Sequence, residues 1–216
     1  MRVSDEVLHY ASGFPGARVV AVTKSVGLEA MKEAHAIGYT IFGENRIQDV
    51  LPKMETLTLP VEWHFIGRLQ SNKARKAVGK FALLHSLETP RLAGQLSEIS
   101  LENQTITECL VQVNVSGEMT KQGIAPDDVH GFLSQTSDLK GIRILGLMTM
   151  APHEADTERT RPLFRRMRQL FEELSTENWP HLEVRYLSMG MSNDYKVALQ
   201  EGANLLRVGS AIFVQD

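Results

Sequence analysis

The chain has 216 residues, of which 43% are hydrophobic and 23% charged, and its formal net charge is −3. This composition is typical of a globular protein with a buried core, and the slight acidity argues against a dedicated nucleic-acid binder. No apolar run approaches the ~20 residues that span a bilayer, and acidic residues follow Met1 where a signal peptide is apolar. The single cysteine, Cys109, has no partner for a disulfide. We therefore expect a cytoplasmic protein with no membrane segment.

Strands and helices are predicted to alternate along the chain, after at most one short helix. The first strand contains Val19–Val22, an unbroken apolar run of the kind found in strands buried on both faces. The eight predicted strands lie at Arg18–Lys24, Thr40–Asn45, Glu62–Gly67, Phe81–Ser86, Glu108–Val115, Ile142–Thr149, Val184–Ser188 and Leu205–Val208. The predicted helices lie at Leu28–Ile37 and 47–54, from Ser71 to Val78, from Thr89 or Pro90, from Pro126, at Leu163–Leu174 and up to about Gln200.

This strict alternation predicts a parallel sheet, because parallel neighbours need a crossover helix between them. Eight such units predict a closed (β/α)8 barrel of the TIM type. No change in composition marks a linker, so residues 1–216 are expected to form a single domain.

In such a barrel the carboxyl ends of all the strands face one mouth, where ligands bind. Lys24 ends strand one there, although a lysine in a loop is most often simply solvated. Two short turns after strands seven and eight, Ser188–Ser192 and Gly209-Ser210, predict a phosphate site. Backbone N–H groups at a helix start, together with serine hydroxyls, hold such an anion.

A lysine facing a phosphate site suggests pyridoxal 5′-phosphate (PLP) as the ligand. PLP needs an amine for a Schiff base, a cradle for its phosphate and a partner for its pyridine nitrogen. Arg207 on strand eight is placed to be that partner. Because arginine cannot accept a proton, the ring nitrogen would then stay unprotonated. The alternative for Arg207 is an ion pair with an acidic group across the mouth.

Several motifs resemble those of the PLP homeostasis proteins, the YggS/PROSC family. They are Ala21–Lys24, Phe42–Asn45, Trp63–Gly67 with Leu69–Lys73, Gly146–Met150, Leu187–Ser192 and Arg207–Phe213. The resemblance implies a barrel like the N-terminal domain of alanine racemase, with PLP held as a covalent aldimine on Lys24. One departure is Arg68, which stands where a histidine is usual in that family.

The resemblance also implies which residues surround the cofactor. It places Arg207 by the ring nitrogen, the serines and Gly209 on the phosphate, and Asn45, His64 and Met148 near the ring. His64 has the alternative of being a packed or hydrogen-bonded strand residue. The predicted cofactor-binding residues are Lys24, Asn45, His64, Met148, Ser188, Met189, Gly190, Ser192, Arg207, Gly209 and Ser210. No metal ligand and no catalytic residue is predicted.

Three functions remain open: a carrier that stores PLP and passes it on, a PLP-dependent racemase-like enzyme, and a sugar-phosphate enzyme using Lys24. A two-base racemase needs a second acid/base group over the ring. In the racemases that this barrel resembles, that group is a tyrosine from a further domain. His153, in the charged loop near the mouth, is the residue most able to replace it. We favour the carrier, a monomer whose partners are PLP and apo-enzymes that receive it, with neither nucleic acid nor membrane.

Overall fold

A closed barrel of eight parallel strands forms the centre of the structure. The structure is a computed structural model that describes residues 1–118, 121–152, 154 and 156–215. The barrel strands are β2 (Arg18–Val22), β3 (Ile41–Glu44), β4 (Glu62–Phe65), β5 (Leu83–Leu87), β6 (Thr107–Gln112), β7 (Ile142–Met148), β8 (Leu182–Ser188) and β9 (Leu205–Val208). Pairing of β2 with β9 closes the cylinder, with Val20 opposite Arg207. The predicted barrel and its eight strands are confirmed.

Helices surround the barrel, mostly where the sequence predicts them. They are α1 (Glu6–Ala11), α2 (Leu28–Ile37), α3 (Ile47–Thr56), α4 (Ala74–Ala77), α5 (Pro90–Glu102), α6 (Val129–Thr136), α7 (Arg161–Ser175) and α8 (Tyr195–Gln200). The prediction that Ser71 caps an α-helix running to Val78 is wrong, because Ser71 lies inside a 3₁₀ turn, Ser71–Lys73, which precedes a single α-helical turn. Thr89 caps α5, because its hydroxyl accepts a hydrogen bond from the Leu92 N–H at 3.2 Å.

A second, two-stranded antiparallel sheet was not predicted. It pairs β1 (Arg2–Val3) with β10 (Phe213–Val214), so that the two ends of the described chain meet. Val3 and Phe213 are both buried. The pairing joins the segment before α1 to the segment after β9.

Apolar residues form two layers. The outer layer lies between strands and helices and includes Val19, Ala21 and Phe42. The inner layer fills the barrel with residues that alternate with these, including Val20, Ile41, Leu83, Leu110, Leu145, Met148 and Leu205. Alternation of inward and outward side chains along each strand therefore decides which residues reach the mouth. Within the described part of the chain, no helix combines the length and apolarity needed to cross a membrane.

Candidate functional site

A cavity of about 740 Å³ opens at the carboxyl ends of the strands. It brings together six of the predicted site residues: Lys24, Asn45, Ser192, Arg207, Gly209 and Ser210. Other residues on the wall include Val22, Ile66, Arg68, Gln112, Met150 and Met191. The cavity therefore combines an amine, a guanidinium and a serine–glycine turn within a partly apolar wall.

Lys24 is exposed, but the backbone just before it is firmly held. Lys53 of α3 donates from Nζ to the Thr23 carbonyl at 2.7 Å and forms an ion pair with Glu44 at 2.6 Å. The Thr23 hydroxyl also donates to Glu44 Oε1 at 2.7 Å. Glu44 is completely buried, whereas the Lys53 side chain keeps 17% of its surface exposed. The pair thus fixes the end of β2, from which Lys24 projects.

Ser192 connects the two turns that form the predicted phosphate site. Its Oγ accepts hydrogen bonds from the backbone N–H of Gly209 at 3.1 Å and of Ala211 at 3.3 Å. The Asp194 carboxylate accepts from the Met191 N–H at 2.6 Å, which shapes the turn ahead of α8. The loops after β8 and β9 are therefore locked together at one side of the cavity, where barrels commonly bind phosphate.

Gly190 permits this turn to approach β9. Its φ is +93°, and a Cβ there would lie 2.6 Å from the Ala198 Cβ. Its carbonyl accepts a hydrogen bond from the Arg207 N–H at 3.0 Å. The glycine thus acts through backbone geometry, and the structure places it beside the cavity wall and not in it.

Arg207 is a buried cation at the cavity floor, with only 4% of its surface exposed. Its Nη1 donates to Ser188 Oγ at 2.5 Å and its Nη2 to the Thr149 carbonyl at 2.7 Å. Among the described residues no carboxylate forms an ion pair with it. Burial lowers the Arg207 pKa to about 10, with Asp194 acting in the opposite direction, so the side chain stays cationic at neutral pH.

Four predicted residues lie deeper than the cavity surface, all with no exposed area. His64 on β4 lies two positions before the cavity-lining Ile66, so it points inward one layer below. Met148 belongs to the inner apolar layer, and Met189 to the outer one. Ser188 lies beneath Arg207 and also bonds to His85 Nδ1 at 3.2 Å.

Arg68 on the cavity wall links two of the loops at the mouth. Arg68 forms an ion pair with Glu88 at 3.0 Å, and Glu88 also accepts from the Gly123 N–H at 2.9 Å. This ties the loop after β4 to the loop after β6. His153, the residue named above as a possible acid/base group, lies outside the described residues.

Sequence reasoning missed several residues that shape this site. His85, Gln112 and Lys53 are the main ones. His85 and Gln112 carry a readable signal, since each is a polar residue two positions beyond a leucine on the inward face of its strand. Lys53 carries none, because a lysine within an amphipathic helix usually faces solvent.

Comparison with known proteins identifies the family of this barrel. The family of alanine racemase N-terminal domains matches residues 5–216, which defines the class of barrel. A pyridoxal phosphate homeostasis protein of Aquifex aeolicus (strain VF5) is 40% identical over 198 residues, covering 91% of this chain and 86% of that protein. The chain belongs to the family of pyridoxal phosphate homeostasis proteins.

Solved structures extend the comparison. PipY of Synechococcus elongatus PCC7942 without PLP superposes with a TM-score of 0.89 at 38% identity, covering 98% of this chain and 100% of that one. PipY with PLP bound gives 0.87 at 36% identity and covers 97% and 98%. Alanine racemase of Clostridium difficile 630 in complex with cycloserine shares the fold, with a TM-score of 0.73 at 12% identity. The match covers 97% of this chain but 58% of the racemase.

Proposed function

We propose that this chain binds PLP in the mouth cavity, holds it through Lys24 and passes it to apo-enzymes. The observation that carries the proposal is the set of three groups around one cavity. An exposed amine, a turn built from Ser192, Gly209 and Ser210, and the buried Arg207 guanidinium are the three partners that PLP requires. PLP bound to PipY, a relative of the same fold and length, supports the assignment.

Each group has a separate task. Lys24 would supply the amine that condenses reversibly with the aldehyde of PLP, with loss of water. The Ser192 hydroxyl, with the turn around Gly209, binds the phosphate. Arg207 donates a hydrogen bond toward the ring nitrogen, and because it stays cationic it offers that nitrogen no proton. PLP supplies an electron sink when it is bound, and an unprotonated ring makes that sink a weak one.

The positions of the tyrosines support a carrier over a racemase. Tyr39 donates to the Ser4 carbonyl at 2.8 Å, and Tyr186 bonds to Arg18 at the amino end of the barrel. Tyr195 packs edge-to-face on Tyr10 at 5.7 Å, on the helical side of the barrel. None of the four lines the described cavity, so none is placed as a second acid/base group.

Reduction with borohydride tests the covalent attachment. We expect a yellow protein whose reduced form carries a phosphopyridoxyl group on the peptide containing Lys24. Lys24→Ala should lose the label, whereas Lys32→Ala, which removes an exposed lysine on α2, should keep it. A label on Lys73 or Lys121, or no label at all, would overturn the assignment. Pyridoxal should bind more weakly than PLP, since it leaves the phosphate site unfilled.

A second experiment separates the carrier from an enzyme. The PLP-loaded protein is incubated with L-amino acids in deuterated water, and exchange of the α-proton is followed by NMR. In parallel, transfer of PLP to an apo-enzyme is measured, and the mass in solution tests the expected monomer. Transfer with only trace exchange supports the carrier. Exchange at ordinary enzymatic rates, abolished by His153→Ala, would make the protein an enzyme.

A further inference from the structure

A continuous chain of polar side chains crosses the interior of the barrel, from its amino end to the cavity floor. Glu62 Oε1 lies 2.8 Å from His64 Nε2, and His64 Nδ1 lies 2.9 Å from His85 Nε2. His85 Nδ1 lies 3.2 Å from Ser188 Oγ, which Arg207 contacts at 2.5 Å. These residues stand on β4, β5, β8 and β9, so the polar chain connects four strands across the barrel interior.

The donors in this chain have one consistent order. The Glu62 carboxylate can only accept, so His64 carries its proton on Nε2. Its Nδ1 then accepts from His85 Nε2–H, which leaves His85 Nδ1 to accept the Ser188 hydroxyl proton. The lone pairs of Ser188 are therefore turned toward the Arg207 guanidinium. Every link has one donor and one acceptor, and all of them point from Arg207 toward Glu62.

The surroundings maintain this order. His64 and His85 have no exposed surface, and burial lowers the pKa of both below the ordinary 6.5, His85 well below. Hydrogen bonding to His64, and then to Arg18, lowers the Glu62 pKa to about 2 despite partial burial. At the amino end, Arg18 bonds to both Glu62 and Tyr186. At neutral pH these shifts favour neutral imidazoles and a charged terminal carboxylate.

We propose that Ser188, His85 and His64 are positioning residues that hold the Arg207 guanidinium at the cavity floor. A second proton on His85 would have to point at Ser188 Oγ, and the Ser188 hydroxyl hydrogen would then lose its acceptor in the polar chain. The order of donors in the polar chain therefore depends on both buried histidines being neutral. Its effect on the cofactor rests on the proposed function, whereas its proton order is a property of the protein alone.

NMR of the protein without PLP tests the proton order. With ¹⁵N-labelled histidine at pH 7, we expect His64 and His85 to be neutral and protonated on Nε2, with Nδ1 acting as acceptor. Ser188→Ala should shift the His85 Nδ1 resonance, because that nitrogen loses its donor. An Nδ1-protonated or charged imidazole at either position, or an unchanged resonance, would overturn the proposal.

PLP binding tests the positioning of Arg207. Ser188→Ala should raise the dissociation constant of PLP about ten-fold and shift the absorption band of the bound cofactor. Ser100→Ala is the matched control, since Ser100 is equally buried and bonds to Thr107 at 2.6 Å, remote from Arg207. It should change neither quantity.

Equal effects of the two substitutions would show that Ser188 contributes only packing, and would refute the proposal. A native protein that fails to bind PLP would instead refute the proposed function. The histidine spectra would then decide the polar chain by themselves.

Discussion

Replacement of Lys53 by methionine should destabilise the protein more than its position on a surface helix suggests. The substitution keeps most of the aliphatic length but removes the amine that pairs with Glu44 and bonds to the Thr23 carbonyl. Glu44 is completely buried, its Oε2 has no hydrogen-bond partner among the described residues, and Thr23 would remain its one donor. Leaving a buried charge unpaired in this way costs roughly 3–5 kcal/mol. We expect about 3 kcal/mol, because Lys53 itself is partly exposed.

Urea unfolding at pH 7 measures this loss of stability, and two further variants serve as controls. Lys32→Met breaks an exposed pair with Glu29, of which the side chains are 54% and 88% exposed, and should cost no more than about 0.5 kcal/mol. Combining Lys53→Met with Glu44→Gln removes the unpaired charge and should recover part of the lost stability. A Lys53→Met cost as small as that of Lys32→Met would show that Glu44 is solvated in solution and refute the reasoning.

Three further results are expected. Because the Glu62 pKa is lowered from 4.5 to about 2, its contribution to stability is complete above pH 4.5 and is lost as the pH falls toward 2. The urea midpoint of unfolding should therefore depend less on pH in Glu62→Gln than in the native protein. The same pH dependence in both proteins would contradict the ionic link. Gly190→Ala should cost about 2–4 kcal/mol through its positive φ and the contact with Ala198, while Gly94→Ala, within α5 and free of close neighbours, should be neutral or stabilising in the same assay. Burial raises the pKa of the Cys109 thiol, so a thiol reagent should label it only after unfolding, and rapid labelling of the native protein would argue against the fold around β6.

The barrel was readable from the sequence because its strands leave a strong local signal. Val19–Val22 is apolar on both faces since one face meets the barrel interior and the other meets the helices. The 3₁₀ turn at Ser71–Lys73 and the pairing of β1 with β10 leave no such signal. A two-residue strand has no periodicity, and its formation depends on residues more than 200 positions away.

The site residues likewise divide into those that the sequence predicts and those that it does not. Lys24 and the turns at Ser192 and Gly209 lie at strand ends, so the topology alone brings them to one mouth. The partnership of His64 with His85 could not be read, because it depends on strand register. Leu83, not His85, is the residue that stands opposite His64 on β5. The ring nitrogens meet because both side chains point into the barrel, although His85 lies two residues beyond the residue that pairs with His64.

The two polar anchors of the cavity are fixed by different means, and the difference bears on how a carrier releases its cargo. Arg207 is buried and held at both Nη atoms, so it presents the same donor whether or not a ligand is present. Lys24 is exposed, and only the backbone behind it is pinned by Lys53. On the proposed function, binding then orders one flexible side chain, while the rest of the site costs little conformational entropy. On the same proposal, hydrolysis at the exposed Lys24 would free the aldehyde while the phosphate turn and Arg207 still hold the molecule. Release would then occur in two steps, and a Lys24→Ala variant should retain PLP with weakened affinity.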